Sequence, residues 1–259
     1  MVARFYKYQG AGNDFIILDG MKERVPLTEE LIRRLCDRKF GIGADGLMEI
    51  VHGSGLDFRM VYYNADGREA SMCGNGGRCI VAYASRAGYI SANTTFGAVD
   101  GQHQAVLLSP SSVRLKLNDT RLPVPASTGL FINTGSPHMV IFRKEVDTID
   151  VFSEGRKHRY SDEFAPEGTN VNFVERTGTG AIRVRTYERG VENETLSCGT
   201  GVVASAICTA FVARDEVNTY HVSTRGGNLL VTFKPDNNAF TNIWIEGPAT
   251  FVFTGEFEL

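Results

Sequence analysis

The sequence has no run of the roughly 18 apolar residues that a bilayer-crossing helix needs, so none is expected. Its opening residues are polar and aromatic, without the apolar stretch of a secretory leader, and the expectation is a cytoplasmic protein. Charge of neither sign dominates: 27 Lys and Arg stand against 30 Asp and Glu, a net charge of −3. That leaves no general attraction to nucleic acid or an anionic membrane, and neither is an expected partner. The five cysteines are odd in number and form no C-x-x-C pair, which argues against a disulfide framework. The five histidines show no H-x-x-x-H spacing, so no metal is expected. A Gly-x-Gly-x-x-Gly pattern following a strand is missing, as is a lysine in a pyridoxal phosphate context, and no cofactor is expected. With 42% hydrophobic and 22% charged residues, the 259-residue chain has the balance of a globular protein with one large or two ordinary domains.

What the chain does contain is a motif written twice. Ser71-Met72-Cys73-Gly74-Asn75-Gly76-Gly77-Arg78-Cys79 is echoed by Leu196-Ser197-Cys198-Gly199-Thr200-Gly201. Each copy puts a cysteine before Gly-(Asn/Thr)-Gly and then a small-residue apolar run, as at the mouth of a helix. Other landmarks repeat as well. Gly12 and Gly135, Asn64 and Glu188, and Cys73 and Cys198 are separated by 123, 124 and 125 residues. So little drift predicts two copies of one α/β unit. Strands are expected at 4–8, 15–18, 47–51, 58–63, 113–117, 139–142, 182–187, 228–233, 243–245 and 251–253, and 168–173 reads as a turn and strand matching the Gly43-Ala44-Asp45 turn and its strand. Thr28 caps an expected helix with Leu31, Ile32 and Leu35 on one face and Cys36 in the core. The stretch 121–127, with Pro123 and Pro125, reads as the linker. The helix after Cys198 is apolar almost all round and belongs inside a unit wrapped by strands.

A helix N-terminus offers free N–H groups and partial positive charge, which favour a thiolate and also bind carboxylate. Gly74, Gly76, Gly199 and Gly201 keep side chains away from those amides. Two such ends facing one cleft would hold a carboxylate from both sides, with a sulfur on each face of its α-carbon. One thiolate could then take the α-proton while the other thiol returns one to the opposite face. Cys79 and Cys208, further along their helices, read as core. His138 fits either a structural hydrogen bond or the tuning of a thiol. Glu188 and Arg189 fit a solvated strand end, the usual fate of such a pair, but their position beside the second motif favours a polar contact to substrate.

At these residues the sequence resembles the diaminopimelate epimerase family. The resemblance covers the whole chain and rests on Gly12-Asn13-Asp14-Phe15, Gly41 to Gly46, Asn64-Ala65-Asp66-Gly67, Met72 to Cys79, Gly135-Ser136-Pro137-His138, Thr169-Asn170-Val171, Glu188-Arg189-Gly190 and Cys198 to Gly201. It implies an α/β (α+β) fold of two pseudo-symmetric domains, each a mixed, curled β-sheet around a central helix, with the active site in the cleft between them. The expected boundaries are 1–117 and 118–248, with strand 249–259 returning to the first domain. The implied activity is cofactor-independent epimerisation of LL- to meso-diaminopimelate, for lysine and peptidoglycan precursors, by a homodimer. Cys73 and Cys198 would be acid and base. The amides of Gly74, Asn75, Gly199 and Thr200 would bind the reacting carboxylate, and Glu188 the reacting ammonium. Asn64, Asn170 and Arg189 would read the distal amino acid, Asn13 would line the pocket, and His138 and Glu188 would tune the cysteines. Two positions depart from the family pattern: Ser136 stands where many members carry Asn, and Gly46 where some carry Gln. Three rivals are a proline or hydroxyproline racemase, a thiol redox enzyme and a non-catalytic amino-acid-binding module.

Overall fold

The computed structural model describes residues 2–214 and 216–259; Met1 and Asp215, which the expected domains include, lie outside the described residues. The chain divides into two units, one running up to Leu115 and resuming at Gly247–Leu259, the other being Lys116–Glu246.

The first unit opens with β1 (Val2–Gly10) and β2 (Asn13–Asp19), then α1 (Glu29–Cys36), β3 (Gly46–Val51), β4 (Phe58–Asn64), the short β5 (Glu69–Ala70) and α2 (Gly74–Arg86). It continues with β6 (Asn93–Ala98), β7 (Gly101–Ser109) and β8 (Ser112–Lys116). The second unit follows with β9 (Thr120–Arg121), β10 (Val124–Ala126), β11 (Gly129–Asn133), β12 (Pro137–Phe142), α3 (Val151–Arg159), β13 (Asn170–Gly178), β14 (Ala181–Glu188), β15 (Asn193–Thr195) and α4 (Gly199–Ala213). It ends with β16 (Thr219–Thr224), β17 (Gly227–Asp236) and β18 (Ala239–Pro248), after which β19 (Thr250–Glu258) belongs to the first unit.

Strand pairing gives the duplication a physical form. In the first unit β1–β2 is antiparallel, β2–β3 parallel, β3–β4 antiparallel, β4–β6 parallel, and β6–β7 and β7–β8 antiparallel. In the second, β11–β12, β12–β13, β13–β14, β14–β16, β16–β17 and β17–β18 repeat those senses in the same order. The outer strand beside β11 is β10, its immediate neighbour in sequence. Beside β1 the same place is taken by β19, from the far end of the chain.

Each sheet buries a different kind of helix on each face. α1 is amphipathic: the Thr28 hydroxyl accepts from Leu31 N at 3.2 Å, acidic residues fill its first turn and arginines its last. Its Ile32, Leu35 and Cys36 pack with Phe5, Ile16, Leu18 and Leu47. α3, capped by Asp150, packs Val151 with Met139, Ile141, Val171, Phe173 and Tyr187. α2 and α4 are the central helices. Every residue of α2 from Gly74 to Ala84 is buried, and so is α4 from Gly201 to Ala210. With little polar face, such helices are stable only when enclosed by strands.

The stretch expected as linker is instead the edge of the second sheet. Pro125 pairs with Leu130 in β10–β11, and the units divide earlier, between Leu115 and Lys116. An edge strand tolerates proline because one row of its amides needs no ladder partner. β5, β6, β7, β9, β10, β11, β15, β16 and α3 lie outside the expected strands and helices. Among the described residues, no helix is long and apolar enough to cross a membrane.

Candidate active site

In the first unit the parallel β2–β3 and antiparallel β3–β4 pairings put Phe15 opposite Gly46, and Gly46 opposite Asn64. Asn13, Asp45 and Asn64 therefore share one end of the sheet. There Asn13 Nδ2 donates to Asp45 Oδ2, and the backbone N–H of Asp14 also reaches that carboxylate. Asp14 itself is clamped by Lys7 Nζ at 2.7 Å and Arg38 Nη2 at 2.6 Å. Burial alone would raise its carboxyl, but hydrogen bonds from Arg38 and Lys7 outweigh it and hold the pKa at about 2. Gly46 has a steric explanation. A Cβ there would stand 2.6 Å from Tyr62 Cε2 and 2.7 Å from the Tyr63 carbonyl, so this pocket wall is closed to any side chain.

Cys73 is the N-cap residue of α2, in extended conformation, half-buried, and its sulfur accepts from Gly76 N at 3.2 Å. Gly74 and Asn75 follow as buried first-turn residues. Beneath them lies Arg78, which the sequence presents only as a motif letter. Its guanidinium is fully buried, donating to Gly74 O at 3.1 Å, Asn75 Oδ1 at 2.8 Å and Pro248 O at 3.3 Å. All three acceptors are neutral. Burial pulls its pKa down to about 10, with the Cys79 and Cys73 thiols acting in the opposite sense, so it stays charged at neutral pH. A desolvated cation one and a half turns from the cap favours negative charge at Cys73.

In the second unit Cys198 holds the same place, as N-cap of α4, buried, its sulfur 3.5 Å from Thr200 Oγ1. Gly199 and Thr200 supply the first helical amides. The β12–β13 register sets His138 opposite Asn170, and β13–β14 sets Val171 opposite Tyr187, so His138, Asn170 and Glu188 also gather at one sheet end. Glu188 accepts from Thr195 Oγ1 at 2.8 Å. Asn170 is 4% exposed: its amide nitrogen donates to Pro137 O at 2.9 Å and Ser136 Oγ at 3.2 Å, and its oxygen accepts from Arg189 N at 2.9 Å. It therefore fixes the turn that presents Arg189. His138 is wholly buried, and its pKa is pushed down to about 3, by burial first and by the nearby Arg189 charge second. It is a neutral imidazole, acting on its neighbours through hydrogen bonds and not through charge. Ser136, Asn172 and Thr186 join it in a network that the sequence alone did not reveal.

The three remaining cysteines are core. Burial pushes Cys36 up to about 12, and raises Cys79 and Cys208 further. Cys79 and Cys208 have no exposed surface.

Solved structures share this architecture. A Bacillus anthracis protein of the PhzF family of phenazine biosynthesis proteins matches with a TM-score of 0.77 at 15% identity, covering 100% of both chains. A probable proline racemase from Agrobacterium radiobacter matches at 0.73 and 14% identity, over 99% of this chain and 93% of that one. The fold is thus that of the PhzF-like and proline-racemase-like proteins, here with a cysteine at the mouth of each central helix. Sequence relatives are more particular. Proteins named diaminopimelate epimerase from Flavobacterium psychrophilum and Chlorobaculum tepidum are 46% and 41% identical, each over 96% of this chain and 98% and 99% of their own lengths. The model of the Diaminopimelate epimerase family matches residues 5–104 and 130–252. The chain belongs to the diaminopimelate epimerase family.

Proposed function

We propose that this protein interconverts LL- and meso-diaminopimelate without a cofactor, Cys73 and Cys198 serving as the acid/base pair on one α-carbon. The observation that carries the reading is the duplicated cap: in each unit a cysteine enters a sheet-wrapped central helix whose first residues are glycine-rich. In this reading the amides of Gly74, Asn75, Gly199 and Thr200 receive the reacting carboxylate, where helix-end amides favour an anion. Glu188 meets the reacting ammonium. Asn64 and Arg189 read the distal amino acid, Asn170 acts there by holding the Arg189 backbone, and Asn13 lines the pocket. The α-proton is a very weak acid, so the pair works in a site from which water is excluded, where fixed dipoles stabilise the carbanion-like state. As one thiolate abstracts, the opposite thiol donates, and the roles exchange in the reverse direction. The two thiols share one titration, because ionising the first opposes ionising the second.

The product feeds lysine and peptidoglycan synthesis in this reading, and the enzyme works in the cytoplasm as a homodimer. The deciding experiment is α-hydrogen exchange in heavy water with LL-diaminopimelate under reducing conditions and no added cofactor. One deuterium at the inverted carbon together with the meso isomer is expected, and Cys73→Ala and Cys198→Ala should each abolish both. Exchange with proline instead would move the protein to the racemases that share its fold.

A further inference from the structure

Around His138 the hydrogen-bond directions follow from donors and acceptors already fixed by the backbone. Asn172 is wholly buried, and its amide nitrogen lies 3.2 Å from Met139 O, which can only accept. Its oxygen accordingly accepts from Thr186 Oγ1 at 2.9 Å. The same Asn172 nitrogen is 3.1 Å from His138 Nδ1, so that ring nitrogen is the acceptor and the single proton of the neutral ring sits on Nε2. Nε2 lies 3.0 Å from Ser136 Oγ and 2.9 Å from Thr200 Oγ1.

Ser136 is fixed next. Its oxygen accepts from Asn170 Nδ2, oriented by the Pro137 carbonyl, and the protonated His138 Nε2 beside it, whose one hydrogen goes to the nearer Thr200 Oγ1, cannot accept from it. The Ser136 proton therefore goes to Thr200 Oγ1, 3.2 Å away. With Ser136 and His138 both donating toward the Thr200 oxygen, the Thr200 proton is directed at Cys198 Sγ, 3.5 Å away. Every direction traces to two asparagine amides pinned by main-chain carbonyls. Gly201 keeps the pocket open for one of them, since a Cβ there would stand 2.3 Å from Asn172 Oδ1.

We propose that Asn172, His138, Ser136 and Thr200 form a one-way hydrogen-bond relay that delivers the Thr200 hydroxyl proton to the Cys198 sulfur as a hydrogen bond and so favours its thiolate form. Asn172, His138 and Ser136 are positioning residues, Thr200 adds this side-chain contact to the carboxylate contact of its amide, and no proton needs to leave any of the four during turnover. The relay rests on the reading of Cys198 as an acid/base group, and it gives Ser136, a departure from the commonest family pattern, a task other than touching substrate. The strands packed against α4 carry His138, Glu175, Arg176, Arg183, Arg185, Tyr187, Glu188, Tyr220, His221, Lys234 and Asp236, with Arg189 just after β14 and Cys208 further along the helix itself. His138 is neutral, so no charge on the imidazole supplies the effect.

Two measurements test this, neither of which depends on turnover. The first is the long-range proton–nitrogen NMR pattern of His138 in the wild-type protein. A proton on Nε2, a bare Nδ1 and no titration between about pH 5 and pH 9, the span in which an ordinary histidine changes charge, are expected. A proton on Nδ1 would overturn the relay. The second is a pH titration of ultraviolet thiolate absorbance with Cys73→Ser as background, where the other three cysteines are held high by burial. Adding Thr200→Val, which keeps the helical amide but loses the hydroxyl, should raise the Cys198 pKa by about one unit, a tenfold fall in thiolate at a given pH. Thr200→Ser should restore the starting value. An unchanged midpoint in Thr200→Val refutes the relay while leaving the epimerase reading intact, whereas failure of heavy-water exchange in the wild type with the predicted shift present would do the reverse.

Discussion

Replacing Gly201 by alanine sets two calculable effects against each other. Alanine is the better helix former, by about 1 kcal/mol in a helix interior. Against that stands the position of the added methyl, 2.3 Å from Asn172 Oδ1 and 3.3 Å from His138 Cε1. Asn172 has nowhere to go, because its amide is held between Met139 O, His138 Nδ1 and Thr186 Oγ1 in a site with no exposed surface. Overpacking of this kind costs about 1–3 kcal/mol, and giving up two or three buried hydrogen bonds adds about 1 kcal/mol each. The clash wins: a net destabilisation of about 2–5 kcal/mol is expected once the helix-propensity gain is set against those costs. The assay is urea unfolding followed by fluorescence of Trp244, the one tryptophan, which lies on β18 in the second unit. Gly178→Ala is the control, since its Cβ would meet only Ala181 Cβ at 3.8 Å, and a change within about 0.5 kcal/mol is expected. Adding Asn172→Ser to Gly201→Ala shortens the obstructing side chain and should recover part of the loss, a coupling that distant sites do not show. If Gly201→Ala unfolds at the wild-type urea concentration, the surroundings of His138 are soft, and the reasoning from fixed donors fails with them.

Arg78→Met should raise the Cys73 pKa by about one unit, read from thiolate absorbance in a Cys198→Ser background, with Arg78→Lys recovering most of the shift. Asp14 is ionised with its folded pKa depressed to about 2, so its contribution is present above the unfolded value of about 4 and is lost as pH falls toward 2. Asp14→Asn should therefore cost about 2 kcal/mol at pH 7, and the gap to wild type in acid-urea unfolding should close across that window. Gly46→Gln should destabilise the first unit by about 1–3 kcal/mol, because Tyr62 must move for the new Cβ; unchanged thermal unfolding would show the wall to be yielding. Mass spectrometry after brief alkylation at pH 8 should find no label on Cys36, Cys79 or Cys208, whose thiols burial holds un-ionised.

The parts of the fold legible in the sequence were those in which local chemistry and tertiary demand agree. Thr28 caps α1 as its spacing implies, and the apolar circumference of α4 requires enclosure. α3 was missed because Gly155 sits in its middle, where glycine argues against a helix. The structure supplies the reason: a Cβ there would stand 2.3 Å from Tyr187 Cβ, so glycine is the condition for that helix to approach its sheet. β6 and β7 were missed because Thr94 and His103 occupy buried positions, which blurs the alternation. The two cap cysteines announced themselves through their flanking glycines. The relay could not, because Ser136, His138, Asn172 and Thr200 meet through a parallel strand register and a helix docking that no sequence spacing encodes. Arg78 was visible as a letter, but its burial was not.

The outer strand beside β1 has a consequence for how the molecule comes into being. A ribosome releases β1 to β8 first, yet the partner that completes their sheet, β19, emerges after the whole second unit. The second unit is one uninterrupted stretch and has all its strands as soon as β18 is made. The half that is synthesised later is therefore the half able to finish folding first, while the earlier half waits with Phe5 and Tyr8 uncovered for Phe253, Phe257 and Phe251. During that interval the β1 edge is an open template for any passing strand, and the speed of translation through the second unit sets how long the nascent chain is exposed to that hazard.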